Sequence, residues 1–427
     1  MDNQTVQMIV SGAIFVIAYA FIIWDKFDRT IVALLGAALM IFTRILSQET
    51  AFLEIDFNTI GLLVGMMVVV MIAKRSGIFE YMAIRTIKIS KGRPVTTLVM
   101  LALITGILSA ILDNVTTILL ILPVTLSIAK DLRLNPTPFI ITEIFASNVG
   151  GTATLIGDPP NIMIGSATGL NFMDFLKNDA VIALPLLFLT TYILALAFRK
   201  KLKASPGTSE EAMLLNEAEA IKDKRLLIKS LIILGLIVIG FVLQGILHYE
   251  SSTIAIAGAV ILLLISKIKP GKVFGEVEWN TIFFFAGLFI MVGGLKSAGV
   301  IKMLAQNVLG LTNGDLVLTT MAVLWLAAIA SAFIDNIPFV ATMIPLIQDM
   351  GALSGMSLTP LWWALSLGAC LGGNGTVIGA SANVIATGIA DEHGHKISFG
   401  RYFRYAFPLM LLTVAVSSVY LYLVYLL

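Results

Sequence analysis

Two stretches of this chain, 222 residues apart, carry the same unusual residues in the same order. Asp113-Asn114 recurs as Asp335-Asn336, Pro123 as Pro345, Gly150-Gly151 as Gly372-Gly373, Gly157 as Gly379 and Asn161 as Asn383. The same register, without a gap, maps Asn58-Thr59-Ile60 onto Asn280-Thr281-Ile282, Gly65 onto Gly287 and Gly77 onto Gly299. Apolar sequence readily yields chance matches of Leu, Val and Ile, but matched Asp, Asn, Pro and Gly signal duplication. The surroundings are those of a bilayer-spanning chain: of 427 residues 58% are hydrophobic and 13% charged, against about 25% charged in a soluble domain. A polytopic membrane protein with polar, helix-breaking residues in corresponding places of its two halves has the pattern of a secondary transporter.

Runs long enough to cross the bilayer, roughly 17–25 residues, fall near 8–24, 30–46, 58–74, 136–170 and 179–198 in the first half. In the second they fall near 227–247, 252–267, 280–296, 357–389 and 405–427. Between them, 94–130 and 315–349 are apolar with Asp-Asn near the middle. Each is expected to be a re-entrant helical hairpin with its tip inside the membrane, where non-helical backbone must be buried or line a cavity. A tight turn at the surface is the alternative, and N-capping by the tip aspartates fits either. The segments 74–93 and 199–229 are rich in Lys and Arg, whereas 47–57 and 247–252 contain none. Basic loops face the cytoplasm, which places both termini outside a cell (inner) membrane and gives five spans per half. An odd number inverts the second half relative to the first. The expected fold is therefore an all-α, multi-pass inverted repeat: residues 1–198, a cytoplasmic linker 199–226, and 227–427. Ile78–Ser90 and Val300–Leu311 are too polar or too short to span and read as interfacial arms between a fixed and a moving part.

Four helix breakers, Gly150, Gly151, Gly157 and Pro159-Pro160, interrupt the span around Ser147–Asn161. Pro lacks an amide proton and Gly costs about 1 kcal/mol in a helix interior, so this span is expected to split into two half-helices. Such ends expose carbonyls and amides that bind solutes and ions without charged side chains. Ser147, Asn148, Thr152, Thr154 and Asn161 add neutral ligands, and Asn374, Thr376, Ser381 and Asn383 do so at the second break. Asp113, Asp335, Asp158 and Glu143 fall within the hydrocarbon slab, where a charge costs at least roughly 2.5–3.5 kcal/mol and usually marks an ion path or proton relay. The tip aspartates could meet near the midplane, with Thr116 beside the first. Asp158 and Glu143 lack acidic counterparts, since the register lands on Ala380 and Leu365, which makes them candidates for coupling. With no intramembrane Lys, Arg or His read from the sequence, an anion site is disfavoured. His248, His393 and His395 fall in loops, and Cys370, the one cysteine, could meet a thiophilic solute or simply pack. No metal site or cofactor is expected.

The strings DNVTT at 113–117, SNVGGTATLIGDPPN at 147–161, FIDNIP at 333–338 and GGNGTVIGASAN at 372–383 resemble the ion transporter superfamily. Within it they are most similar to the group of arsenical pump membrane proteins, NhaD-type sodium/proton antiporters and the melanocyte P protein. The resemblance covers the chain from about residue 8 onward. It implies a scaffold domain, a mobile transport domain with hairpins packed on broken helices, elevator-like movement, and often a dimer. The related dicarboxylate branch carries Ser-Asn-Thr at the tips and breaks; here the tips read Asp-Asn, and only Ser147-Asn148 is similar.

The expected function is proton-coupled efflux of arsenite or antimonite, a neutral trihydroxy species in the case of arsenite, with Asp113, Asp335, Asp158 or Glu143 carrying the proton. Sodium/proton exchange on the same residues is the runner-up, and an anion or carboxylate carrier comes third. An intramembrane aspartyl protease would leave the duplicated breaks without a role, and a channel would need no titratable centre. No loop for direct use of ATP is present, although a partner ATPase could supply one, and no nucleic-acid partner is expected.

Overall fold

The computed structural model describes residues 3–24, 26–131, 133–202 and 216–427; residues 203–215 of the expected linker lie outside them. The described part of the first half supplies nine principal helices. They are α1 (Asn3–Trp24), α2 (Arg29–Phe42), α3 (Phe57–Lys74), α4 (Ile78–Ile89), α5 (Pro94–Ser109), α6 (Asn114–Asp131), α7 (Thr137–Thr152), α8 (Pro159–Thr168) and α9 (Phe172–Phe198). The second half repeats the series as α10 (Lys224–Val242), α11 (Ser251–Ser266), α12 (Trp279–Ser297), α13 (Val300–Thr312), α14 (Leu316–Phe333), α15 (Asn336–Ser354), α16 (Thr359–Gly372), α17 (Ser381–Glu392) and α18 (Phe399–Leu421). The starts of α2 through α8 recur 222 residues later as the starts of α11 through α17. The fold is an all-α inverted repeat. Among the described residues eight helices are long and apolar enough to cross a membrane. The expected spans 136–170 and 357–389 are each two helices, α7 with α8 and α16 with α17.

Local chemistry explains the boundaries. Asp28 and Asp56 accept hydrogen bonds from the first free amides of α2 and α3, the usual N-cap arrangement. The arms α4 and α13 each follow a glycine in the left-handed region, Gly77 (φ 84°) and Gly299 (φ 87°), where a side chain would be strained. Pro159 and Pro160 begin α8, where a missing amide proton costs nothing.

Packing is crosswise between the halves. α3 lies on α11 and α12 on α2, with small residues at both crossings. A Cβ on Gly65 would sit 2.8 Å from the Ala255 backbone, and one on Gly287 2.7 Å from that of Ala33. In the other layer each hairpin packs on the broken helix of its own half, α5 on α7 and α14 on α16. The continuing half-helices α8 and α17 then cross over to the opposite hairpin's outgoing leg, α15 and α6.

Candidate functional site at the hairpin tips and helix breaks

The hairpin tips end against the breaks. The Asn114 amide donates to the Gly157 carbonyl (3.0 Å), and Thr154 Oγ1 donates to the Ala110 carbonyl (2.5 Å). Thr376 Oγ1 makes the matching bond to the Ala332 carbonyl (2.5 Å). Ser109 Oγ donates to the Ser147 carbonyl (2.6 Å) and Ser331 Oγ to the Ala369 carbonyl (2.7 Å). Glycine permits these approaches: a Cβ on Gly150 would fall 2.1 Å from the Gly106 carbonyl oxygen, and Gly151 and Gly157 face each other equally closely. The tips are thus re-entrant and end at the depth of the breaks.

Each break is closed by an asparagine. Asn161 Nδ2 donates to the Thr152 and Thr154 carbonyls, and Asn383 Nδ2 to those of Gly373 and Thr376. The halves are joined through Asn148, whose Nδ2 donates to Asn383 Oδ1 (2.8 Å) and Asn374 Oδ1 (3.1 Å) while its Oδ1 accepts from Asn114 Nδ2 (3.1 Å). Ser147 Oγ donates to the Asn114 carbonyl (3.0 Å). Cys370, the register counterpart of Asn148, points its thiol at Asn161 Oδ1 (3.4 Å). Asn336 Nδ2 reaches Asp158 Oδ1 (3.3 Å), and Asp158 lies within electrostatic range of both Asp113 and Asp335. All of these residues are buried. Three side-chain atoms here have no hydrogen-bond partner: the acceptors Asp158 Oδ2 and Asn114 Oδ1, and the donor Asn374 Nδ2.

The structure therefore gathers Asp113, Asn114, Ser147, Asn148, Thr152, Asp158, Asn161, Asn336, Cys370, Asn374, Thr376 and Asn383 around one centre. Thr116 joins through Asp113, donating its hydroxyl to Oδ2 (2.6 Å) and its amide to Oδ1 (2.7 Å). Asp335 caps α15 through the Ile337 amide (3.1 Å), so both tip aspartates are N-caps. Glu143 is not brought to the centre: it accepts from Thr125 on α6 (2.7 Å), between the broken helix and the hairpin's outgoing leg.

Sequence reading missed Arg29. Its Nη1 donates to Asp335 Oδ2 (3.0 Å) and to Ser381 Oγ (2.6 Å), and the guanidinium lies over the Phe284 ring (5.1 Å). The absence of a base near the site is thus corrected: one arginine touches its margin. Arg29 stands at the very start of α2 and looked like an ordinary span end. It follows the N-cap Asp28, and no local pattern marks it as turned toward the site. Asp179 was also missed, because the span was read as starting there. α9 begins at Phe172, so Asp179 sits two turns inside, fully buried, with Ser366 Oγ 2.5 Å from its Oδ2.

Two re-entrant tips, two broken helices and a buried polar centre in an inverted repeat define a membrane transporter. Residues 19–368 match the citrate transporter family, and the chain belongs to that family. It is 41% identical over 424 residues to a 46 kDa membrane protein of Mycobacterium leprae, covering 98% of this chain and 99% of that one. An uncharacterized transporter of Mycobacterium tuberculosis is 41% identical over 423 residues, with 98% of each chain covered. The human P protein is 34% identical over 499 residues, covering 97% of this chain and 60% of the P protein. Among solved structures, the Alcanivorax borkumensis YdaH transporter, described as having an unusual topology, superposes with a TM-score of 0.57 at 15% identity, covering 89% of this chain and 87% of that one.

Proposed function

We propose that the chain is a proton-coupled secondary transporter that exports a small neutral hydroxylated solute, arsenite or antimonite, by elevator-type alternating access. The observation that carries this reading is the mixed set of unpartnered atoms at the centre: acceptors on Asp158 and Asn114 and a donor on Asn374. A trihydroxy solute can donate to the first two and accept from the third. A bare cation could use only the acceptors. Among the described residues, Asp113 and Asp158 form no ion pair, and an uncompensated buried charge is costly, so protons are the economical counter-charge. A proton can shift alternating access only by binding one state better than the other, and Asp113 and Asp158 adjoin the centre as that requires. The scaffold in this reading is α1–α3 with α10–α12, the hairpins and broken helices move, and the chain works as a homodimer in the inner membrane with both termini outside.

Sodium/proton exchange is the second reading, favoured by Asp158 Oδ2 and Asn114 Oδ1, two unpartnered oxygens that would suit a dehydrated cation. The test is purified protein in proteoliposomes with a pH-sensitive dye inside and a proton gradient imposed. Arsenite, antimonite, sodium, lithium and citrate are added in turn. Dye responses to arsenite or antimonite are expected. A response to sodium or lithium alone would replace this reading with the second, and a response to citrate alone would overturn both.

A further inference from the structure

Ser366 presents one hydrogen to two acceptors. Its Oγ lies 2.6 Å from Asn161 Oδ1 and 2.5 Å from Asp179 Oδ2. The identity of Asn161 Oδ1 is fixed, because Asn161 Nδ2 faces two backbone carbonyls, those of Thr152 (3.1 Å) and Thr154 (3.0 Å), which accept and cannot donate. A hydroxyl has a single hydrogen. If Asp179 were ionised, one of these two close contacts would bring oxygen lone pairs together. The remaining carboxyl oxygen, Asp179 Oδ1, has no partner, and the residue is fully buried. Among the described residues no Lys, Arg or His pairs with it. An ionised carboxylate with one shared hydrogen bond in such surroundings is strongly disfavoured.

We propose that Asp179 is a second proton-binding site: a neutral acid that donates to Ser366 Oγ, so that Ser366 can give its own hydrogen to Asn161 Oδ1. The bonds then run in one direction, Asp179 to Ser366 to Asn161, and Asn161 in turn closes the α7–α8 break. Asn161 Oδ1 accepts a second bond from the Cys370 thiol, as its two lone pairs allow. When Asp179 loses its proton, Ser366 must turn its hydrogen back to the carboxylate, and the support of Asn161 is weakened. Asp179 is therefore a positioning residue for the break, acting through Ser366. The second break lacks this device: the register counterpart of Ser366 is Ile144, and Asn383 Oδ1 is served by Asn148 instead. Titratable groups in electrostatic range of Asp179 are Cys370 on α16 and Tyr420 and Tyr425 at the end of the chain. Both tyrosines are partly exposed and bond to the neighbouring Asn178.

The experiment compares infrared spectra of the purified protein with those of Asp179→Asn and Ser366→Ala, alongside thermal unfolding that includes Asp179→Ala. A protonated carboxyl has its own carbonyl stretch, separate from that of a carboxylate. The wild-type minus Asp179→Asn difference should show one such band lost, and Ser366→Ala should move it. Asn can donate to Ser366 as the acid does, so Asp179→Asn should unfold within a few degrees of wild type while Asp179→Ala unfolds clearly lower. A difference spectrum showing loss of a carboxylate band overturns the proposal. So does a band left unmoved by Ser366→Ala, which decides the matter even where Asp179→Asn fails to fold. The consequence for transport rests on the proposed proton coupling: Asp179→Asn should lower the number of protons moved per solute. If wild type shows no proton coupling, that reading fails while the infrared result still stands.

Discussion

The two hairpin tips carry the same Asp-Asn pair, yet the two aspartates live in different surroundings. Asp113 keeps its contacts local: both oxygens are held by Thr116, one turn into its own helix. Asp335 cannot do this, because the register counterpart of Thr116 is Pro338. It bonds instead to Ser381 Oγ (2.6 Å) at the second break and to Arg29 on α2. The Arg29 and Asp335 side chains are 30% and 11% exposed, so this tip communicates with solvent while Asp113 is closed in. The repeated pair therefore ends with one carboxylate held within its own helix and the other given a counter-charge by Arg29. The difference teaches that acids in matched positions of a repeat need not share surroundings.

Several substitutions can break this comparison. The largest effect is expected from Asp113→Asn, which should lower gradient-driven flux in proteoliposomes by 100-fold or more in a folded protein; undiminished flux would remove Asp113 from the proton pathway. Gly150→Ala should cost about 3 kcal/mol, at the upper end for an overpacked core, because its Cβ would strike the Gly106 carbonyl oxygen. Gly372→Ala meets Ala328 O at 2.5 Å and should cost less, about 1–2 kcal/mol; thermal unfolding of the two variants checks the order. Arg29→Ala should change stability by less than about 1 kcal/mol, as for other solvent-touched ion pairs, and change flux several-fold by freeing Asp335. If Arg29→Ala leaves flux untouched, the pairing is incidental. Comparably small effects should come from Thr154→Val, which loses one hydrogen bond worth about 1 kcal/mol, and from Thr376→Val, which loses the matching bond and the one its hydroxyl accepts from the Ile378 amide. The tip bond is made in both halves, so Thr376→Val should shift unfolding by as much as Thr154→Val or somewhat more, and a clearly smaller shift would argue against equivalent tips.

Much of this architecture was legible because the repeat is written in residues that membrane helices otherwise avoid. Asp113 and Asp335, Asn161 and Asn383, and the paired glycines mark both tips and both breaks in the sequence itself. The amphipathic arms and inverted halves followed from charge placement and span count. What stayed hidden depends on side chains that reach across the chain. Arg29 meets Asp335 over more than 300 positions, and nothing local marks it as different from an interfacial arginine. Ser366 has no repeat partner, and Asp179 looked like the polar edge of a span. Glu143 shows the converse: its loss of symmetry was genuine, yet helix geometry turns it toward Thr125 and away from the centre. Symmetry breaking located asymmetry without saying what it serves.

The crosswise pairing of α2 with α12 and α3 with α11 also bears on how the chain is made. At roughly 5–20 residues per second, the ribosome delivers Gly65 many seconds before the Ala255 that it must meet. During that interval the first half rests in the bilayer with both of these crossings unmade. Completion of both crossings therefore waits on synthesis of the second half.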